Sequence, residues 1–279
     1  MASRPLIPGM RWMLLIASAL VFIIGIPLFL LSESTARFFA WTINPPLTAG
    51  FLGAAYWASF LLEFLASRER RWADARVAVP AVFIFTALTL LVTLLHIDRF
   101  HLADGLAPET RTVTYVWIIV YAVVPPILLG LWIAQSQKPG DDPPPRLPVP
   151  GWARATLIGQ GSLLLIIGVV LLIAPLLVAN LWPWQLTALT GRAVGAWCIG
   201  IGIAIAQIAW EGDWRRVRAG TAAVVAFAIL ELIALARYTG SIAWGKPSSW
   251  LYVAFLFGLL AIGGYGGVQG WRAIGDVSG

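Results

Sequence analysis

Long stretches without a charged residue are the feature that most constrains how this chain can fold. A bilayer-spanning helix needs roughly 18 or more consecutive apolar residues. Seven uncharged stretches meet or approach that length, at residues 12–32, 38–62, 77–95, 112–137, 155–191, 193–210 and 247–271. An eighth apolar stretch, 217–238, contains Glu231 near its middle and Arg218 and Arg237 near its ends. The pattern predicts eight transmembrane helices.

The composition agrees with a membrane protein. Hydrophobic residues make up 59% of the chain and charged residues only 11%, whereas soluble domains contain about 25% charged residues. The first stretch follows Arg4 and Arg11 as a signal peptide would, but no small-residue cleavage pattern comes after it, so we expect a retained helix. The predicted fold class is all-α, a polytopic helix bundle.

The distribution of basic residues predicts the orientation. With the N-terminus in the cytoplasm, 13 of the 19 Lys and Arg residues fall on the cytoplasmic side and six on the other. Positive residues favour the cytoplasmic side of a membrane protein, so both termini are predicted to be cytoplasmic. We expect the membrane to be a bacterial plasma membrane. The net charge of +6 does not indicate nucleic-acid binding, because the basic residues lie at helix ends and form no single patch.

Similar sequence features recur at a constant spacing of 142 residues. The matched pairs are Gly53 with Gly195, Trp72 with Trp214, Arg76 with Arg218, and His96 with Tyr238. This spacing predicts two four-helix repeats, at 1–134 and 154–279, joined by a Pro-rich cytoplasmic linker at 135–153. An even number of spans in each half makes the repeat parallel. The alternative is a chance coincidence of two basic loops, both required by the positive-inside rule.

One polar site is predicted inside the second half. Charged residues within a membrane are costly, so Glu231 requires an explanation. Arg192 begins the neighbouring stretch, and Tyr238 lies seven residues after Glu231 on the same helix face. Arg192, Glu231 and Tyr238 are therefore predicted to form a ligand-binding pocket. The alternative is a buried ion pair of Arg192 with Glu231 that only fixes the helix register.

A second group of polar residues, "HIDRFHLAD", follows the third stretch. It contains four residues of metal-ligating type, His96, Asp98, His101 and Asp104. His101 and Asp104 have a helical spacing, but His96 and His101 are five residues apart and would point to different sides. We predict no metal here and keep the four residues as weak candidates. The favoured interpretation is a solvated helix end.

The sequence contains no catalytic motif. Cys198 is the only cysteine, which excludes an intrachain disulfide and a thiolate zinc site. The patterns GxxxxGK[ST], HExxH and GxSxG are absent, so the sequence does not support ATP-driven, zincin or serine-hydrolase chemistry. No cofactor is indicated. An enzyme is the less favoured class.

Three functions remain. The first is binding or transport of a small molecule or lipid between the two halves. The second is a structural or accessory subunit of a membrane complex, which the scarcity of polar residues favours. The third and weakest is a membrane enzyme acting on lipid through the His/Asp group. The expected partners are membrane lipids, with other membrane subunits or a small hydrophobic ligand as alternatives, and no nucleic acid.

Overall fold

The computed structural model describes residues 3–275, with side chains to residue 271. Within this range the secondary structure is helical, with isolated backbone bridges but no β-strand. The helices are α1 (Pro8–Gly25), α2 (Thr35–Phe38), α3 (Pro46–Ser67), α4 (Trp72–Ala75), α5 (Val79–Leu95), α6 (Pro108–Ser136), α7 (Gly151–Ile173), α8 (Pro175–Ala179), α9 (Ala188–Glu211), α10 (Arg218–Arg237) and α11 (Pro247–Gly275). A π-helical turn, Ile26–Leu30, extends α1.

Seven helices are long and apolar enough to cross a membrane, which agrees with a helical membrane bundle. They are α1 with its extension, α3, α6, α7, α9, α10 and α11. Helix α5 is equally apolar in character but has 17 residues, or about 25 Å at 1.5 Å per residue, against a hydrocarbon core of about 30 Å. The eighth span therefore stays a prediction.

Prolines set several helix boundaries. Pro8, Pro46, Pro108 and Pro247 each stand in the first turn of a long helix, where the missing N–H has no intrahelical acceptor to lose. Pro175 has the opposite effect, because a residue before proline disfavours the α conformation. Ala174 accordingly has φ −134° and ψ 65°, and α7 ends at Ile173. The uncharged stretch 155–191 thus contains most of α7, the short helix α8, an irregular segment and the first turn of α9.

The bundle is built around α3 and α9. In their membrane-crossing windows 72% and 67% of residues are buried, against 22–28% for α1, α6, α7 and α11. Helix α3 packs against α1 and α10, while α9 packs against α7 and α5. Helices α5 and α10 in turn pack against α6 and α11. Each central helix therefore lies between a helix close to it in sequence and one from the distant part of the chain.

Glycines allow the closest of these contacts. A Cβ on Gly195 of α9 would lie 2.8 Å from the backbone oxygen of Gly168 on α7. A Cβ on Gly53 of α3 would lie 2.6 Å from the backbone nitrogen of Phe29. Side chains at these positions would separate the two helix backbones, so only glycine permits the observed packing.

One end of the bundle carries residues 68–76 and 211–218 and is called the basic end here. The opposite end carries His96 and His101 and is called the histidine end. At the basic end Arg218 Nη2 contacts Glu69 Oε1 at 2.6 Å, and Arg76 Nη2 donates to Glu211 Oε2 at 2.7 Å. Each ion pair joins the two distant parts of the chain.

The Pro-rich segment 137–150 runs across the basic end and is fixed there by hydrogen bonds. The backbone of Arg4 donates to the carbonyl of Asp141 at 3.2 Å, and the backbone of Arg146 donates to Asp213 Oδ2 at 2.8 Å. The carboxylate of Asp142 pairs with Arg76 Nη1. These contacts hold an otherwise irregular segment in one path.

Candidate ligand-binding site

The principal candidate site is a cavity of about 360 Å³ between α7 and α11, in the half of the bundle nearer the histidine end. Helix α7 contributes residues from Leu163 to Val170, and α11 contributes residues from Ser248 to Phe255. Cys198 of α9, Phe227 of α10 and Phe51 of α3 close the inner wall. Its volume lies within the range of small-molecule sites, about 300–1,000 Å³.

The cavity opens on the outer, apolar face of the bundle. Its rim contains Ile166, Leu181 and Leu251, which are 64%, 67% and 69% exposed. In a membrane that face contacts acyl chains, so a molecule dissolved in the lipid phase could enter sideways without crossing water. The lateral opening therefore favours an apolar or amphiphilic occupant.

Polar groups lie at the end of the cavity formed by α8, the segment after it and the start of α11. Trp182 is 6% exposed, and its Nε1 has no hydrogen-bond partner in the described part of the chain. The buried Oγ of Ser248 is likewise without a partner among residues 3–271. Leaving such a group unpaired costs about 1–3 kcal/mol. An occupant that hydrogen-bonds both groups would recover this cost.

Tyr252 forms the deeper polar part of the wall. Its hydroxyl donates to Glu231 Oε2 at 2.7 Å. Glu231 is fully buried on α10, and its Oε1 has no partner within the described residues. The ring of Tyr252 also packs against Trp182 and Trp184, with centroids 6.1 and 5.6 Å away. The aromatic contacts hold the Tyr252 hydroxyl in place beside Glu231.

The arrangement is suited to binding an uncharged amphiphile. Trp182 Nε1 is a donor only, and a serine hydroxyl donates or accepts, so the pair matches an oxygen acceptor such as a carbonyl or hydroxyl. The remaining lining is almost entirely aliphatic and aromatic. None of the lining residues is histidine, lysine or arginine, so the site has no cation for an anionic headgroup.

A second, much smaller cavity lies between α3, α5, α9 and α10, where the two predicted halves meet. Its volume is about 50 Å³, enough for a few water molecules but not for a drug-sized ligand. The walls are apolar residues, from glycine and alanine to Phe85 and Trp197, with Ser59 as the polar exception. This cavity is therefore smaller than a typical small-molecule site, and the ligand predicted between the two halves stays a prediction.

The predicted site residues Arg192, Glu231 and Tyr238 lie in three different contacts. Arg192 Nη1 donates to His96 Nε2 at 2.9 Å, and its Nε donates to the carbonyl of Leu172 at 3.0 Å. Tyr238 hydrogen-bonds to Ser32 at 2.6 Å. Glu231 accepts a hydrogen bond from Tyr252, and the described side chains show no ion pair between Arg192 and Glu231, the alternative considered from the sequence.

The packing explains why Arg192 and Glu231 are apart. The prediction rests on Arg192 beginning the stretch next to the one that contains Glu231. Instead α9 presents Arg192 to the end of α5, and α10 presents its residues to α3 and α11. Gly50 of α3 lies beside Ala234 of α10. A Cβ added at Gly50 would be 3.2 Å from the Cβ of Ala234.

The four weak metal candidates are also engaged separately. His101 Nδ1 donates to the carbonyl of Phe39 at 2.9 Å, which leaves Nε2 to accept from Thr42 Oγ1 at 3.1 Å. Asp98 pairs with Arg99 at 3.0 Å and Asp104 with Arg111 at 3.1 Å. Among the described residues no three His, Cys, Asp or Glu side chains are grouped so that they could hold a metal ion.

The environment of His96 favours the neutral imidazole. Partial burial and the adjacent Arg192 guanidinium lower the pKa of His96, with Arg99 acting in the same direction and Asp98 against it. Neutral His96 accepts the hydrogen bond from Arg192 through Nε2, and protonation would remove that acceptor. The contact is thus sensitive to acid.

Fold and composition define the class: this is an all-helical, multi-pass membrane protein with seven apolar helices of spanning length in the described range. No family model, curated protein or solved structure matches the chain. Sequence reasoning missed Trp182, Ser248 and Tyr252 as site residues. The available signal was Pro175, which ends α7 and sends the following segment over the end of the cavity.

Proposed function

We propose that the chain forms eight spans as two parallel four-helix repeats, 1–134 and 154–279, with a linker at 135–153. In this arrangement α5 is the eighth span. The helix contacts support the proposal because they are reciprocal: α1 packs on α3 as α7 packs on α9, and α3 packs on α10 as α9 packs on α5. In a twofold interface, the element that contacts a partner in one half has a counterpart that makes the same contact from the other half.

Individual contacts support the same relation. Glu69 pairs with Arg218 and Glu211 with Arg76, and both residues of one pair differ by 142 from those of the other. The backbone repeats the pattern at the basic end: Leu6 donates to the carbonyl of Arg70, and Val149 donates to that of Gly212, both at 2.9 Å. These matched partners support duplication over a chance similarity of two basic loops.

We further propose that the basic end faces the cytoplasm of a bacterial plasma membrane, with both termini on that side. The support is the excess of 13 basic residues over six in the sequence. The histidine end and the polar end of the cavity then face the outside. A headgroup bound near Trp182 would lie at the depth of the outer leaflet.

The function that the geometry supports best is binding of an uncharged amphiphilic lipid in the cavity between α7 and α11. The observation that carries this proposal is the pair of unpartnered polar atoms, Trp182 Nε1 and Ser248 Oγ, in an apolar cavity open to the lipid-facing surface. The headgroup oxygen would accept from Trp182, and the chain would lie along α7. Glu231 would act through Tyr252 by fixing its hydroxyl.

This proposal places the ligand at the side of the bundle, whereas the sequence predicts binding between the two halves. Phe51 of the first repeat still forms part of the wall, so both repeats contribute. Arg192 and Tyr238 join the ends of helices from the two repeats through His96 and Ser32, and a ligand-binding role for them stays a prediction.

The test is identification of bound lipid by native mass spectrometry after purification in a mild detergent. The wild type should retain a stoichiometric lipid, and the double variant Trp182→Phe, Ser248→Ala should lose most of it. A matched control is Trp152→Phe, Ser136→Ala, which also removes one indole N–H and one serine hydroxyl. Both residues are exposed, Trp152 at the start of α7 and Ser136 at the end of α6, away from the cavity. The control should retain the lipid.

Equal retention by both double variants would refute the site. Copurification of a stoichiometric membrane protein without bound lipid would instead favour the accessory-subunit function. Thermal unfolding of each variant is measured in parallel, so a loss of lipid is attributed to the site only when the variant melts within a few degrees of the wild type.

A further inference from the structure

A large polar pocket lies at the basic end, well away from the lipid cavity. Its volume is about 580 Å³, and it lies between the segment that joins α3 to α4 and the start of α10. The five arginines that line it are Arg68, Arg70, Arg71, Arg215 and Arg218, and they are accompanied by only two carboxylates, Glu69 and Asp74. The pocket is thus strongly basic, although it belongs to a chain with few charged residues.

Both carboxylates are already paired. Glu69 Oε1 contacts Arg218 at 2.6 Å, and Asp74 Oδ2 contacts Arg71 at 2.7 Å. The guanidinium groups of Arg68, Arg70 and Arg215 have no carboxylate partner among residues 3–271. Three positive charges in one concave pocket repel each other, so a bound anion would stabilise the arrangement.

The other half of the basic end provides an internal comparison. Arg76 occupies the place that corresponds to Arg218 at the 142-residue spacing, and each arginine forms an ion pair with a glutamate of the other part of the chain. Arg76 also has a further anionic partner, because the linker residue Asp142 contacts its Nη1. Arg218 forms no ion pair with a linker carboxylate among residues 3–271. One of two corresponding arginines therefore has a protein carboxylate that the other lacks.

We propose that the basic pocket binds a phosphate group, supplied either by an anionic lipid headgroup or by a soluble phosphate compound. Guanidinium groups match phosphate oxygens with paired hydrogen bonds, which favours arginine over lysine in such sites. Arg68, Arg70 and Arg215 would bind the phosphate, with the Glu69 and Arg218 pair as the pocket floor. The pocket borders the ends of α3 and α10, the depth at which lipid headgroups lie.

The two sources are distinguished by measuring unfolding temperatures of protein in phosphatidylcholine nanodiscs. One arm adds phosphatidylglycerol to the nanodiscs, and the other adds inorganic phosphate at constant ionic strength. The test variant is Arg68→Gln, Arg215→Gln. The control variant, Arg146→Gln, Arg154→Gln, removes the same charge from exposed arginines outside the pocket.

We expect phosphatidylglycerol, inorganic phosphate or both to stabilise the wild type and the control. The apparent affinity of the test variant should be lower by roughly tenfold or more. Stabilisation by phosphatidylglycerol alone assigns the lipid headgroup, and stabilisation by inorganic phosphate assigns a soluble compound. Equal loss in test and control variants, or no stabilisation of the wild type in either arm, would overturn the proposal. If the test variant does not fold in phosphatidylcholine, Arg70→Gln, Arg215→Gln replaces it.

Discussion

Replacing Glu211 by glutamine should destabilise the bundle by roughly 3 kcal/mol, the lower end of the range for breaking a buried ion pair. The Glu211 side chain is 1% exposed, and its carboxylate receives hydrogen bonds from Arg76 Nε and Nη2. These hydrogen bonds raise the pKa of the Arg76 guanidinium. An arginine side chain stays protonated in a protein even without such a partner, so Arg76 keeps its charge when Glu211 is replaced. The expected loss is not larger because Asp142 remains as a second partner of Arg76.

The corresponding replacement, Glu69→Gln, should cost somewhat less, roughly 2 kcal/mol, because Arg218 borders an open pocket where water can solvate it. Burial raises the pKa of Glu69, while hydrogen bonds from Arg218 act in the opposite direction. Neither variant removes apolar packing. The predicted losses are therefore electrostatic in origin.

The assay is a double-mutant cycle for each pair, with free energies of unfolding measured by sodium dodecyl sulfate titration in mixed micelles. The cycles combine Glu211→Gln with Arg76→Gln, and Glu69→Gln with Arg218→Gln. Residues in direct contact show coupling energies of about 0.5–3 kcal/mol, whereas distant residues are additive within a few tenths. We expect a coupling of about 2 kcal/mol in both cycles.

Two results would refute the reasoning. Additive losses in both cycles would show that the distant parts of the chain do not pair at the basic end. A third cycle, Glu211→Gln with Arg218→Gln, should show no strong coupling. Strong coupling in that cycle would mean that each basic segment pairs within its own part of the chain, which contradicts the reciprocal packing of α3 with α10 and of α9 with α5.

Three further predictions test other contacts. Gly195→Leu should lower the unfolding temperature strongly, because its Cβ would lie 2.8 Å from the backbone of α7, while Gly264→Leu, with no atom within 4 Å of its Cβ, should have little effect; equal effects would contradict the close packing. Because the pKa of His96 is lower in the folded protein, stability should fall as the pH decreases through about 6.5, and His96→Asn should reduce that dependence in thermal melts; parallel curves for variant and wild type would contradict it. In intact cells an impermeant thiol reagent should label Gly105→Cys and not Pro144→Cys, because only residue 105 is proposed to face the outside. Native Cys198 is buried and should not contribute to the signal. Reversed labelling would contradict the proposed orientation.

The positions of the long helices could be predicted from the sequence because they depend on local hydropathy. The stretch 112–137 corresponds to Pro108–Ser136, and 217–238 corresponds to Arg218–Arg237. Errors occurred where backbone geometry overrode hydropathy. Residues 38–45 are uncharged, yet α3 begins only at Pro46, and Pro175 ends the helix within the stretch 155–191.

The candidate site could not be predicted in the same way, because it depends on which helices touch. The cavity joins Trp182 and Ser248, which are far apart in sequence and of ordinary types for a membrane interface. Glu231 was recognised as unusual from its depth in an apolar stretch, but its partner Tyr252 lies on α11. Hydropathy identifies a costly residue without identifying the neighbour that compensates for it.

The exchange of helices across the bundle affects the order in which the protein can be assembled. Helix α3 emerges from the ribosome long before α10, the helix that covers much of its surface, and α5 emerges before α9. Helices α3 and α5 are therefore synthesised before the helices that cover one face of each, so these two faces lack their partners until α10 and α9 have been made. Complete packing of α3 and α5 is consequently coupled to synthesis of the later helices, and truncation after residue 150 would leave both faces uncovered.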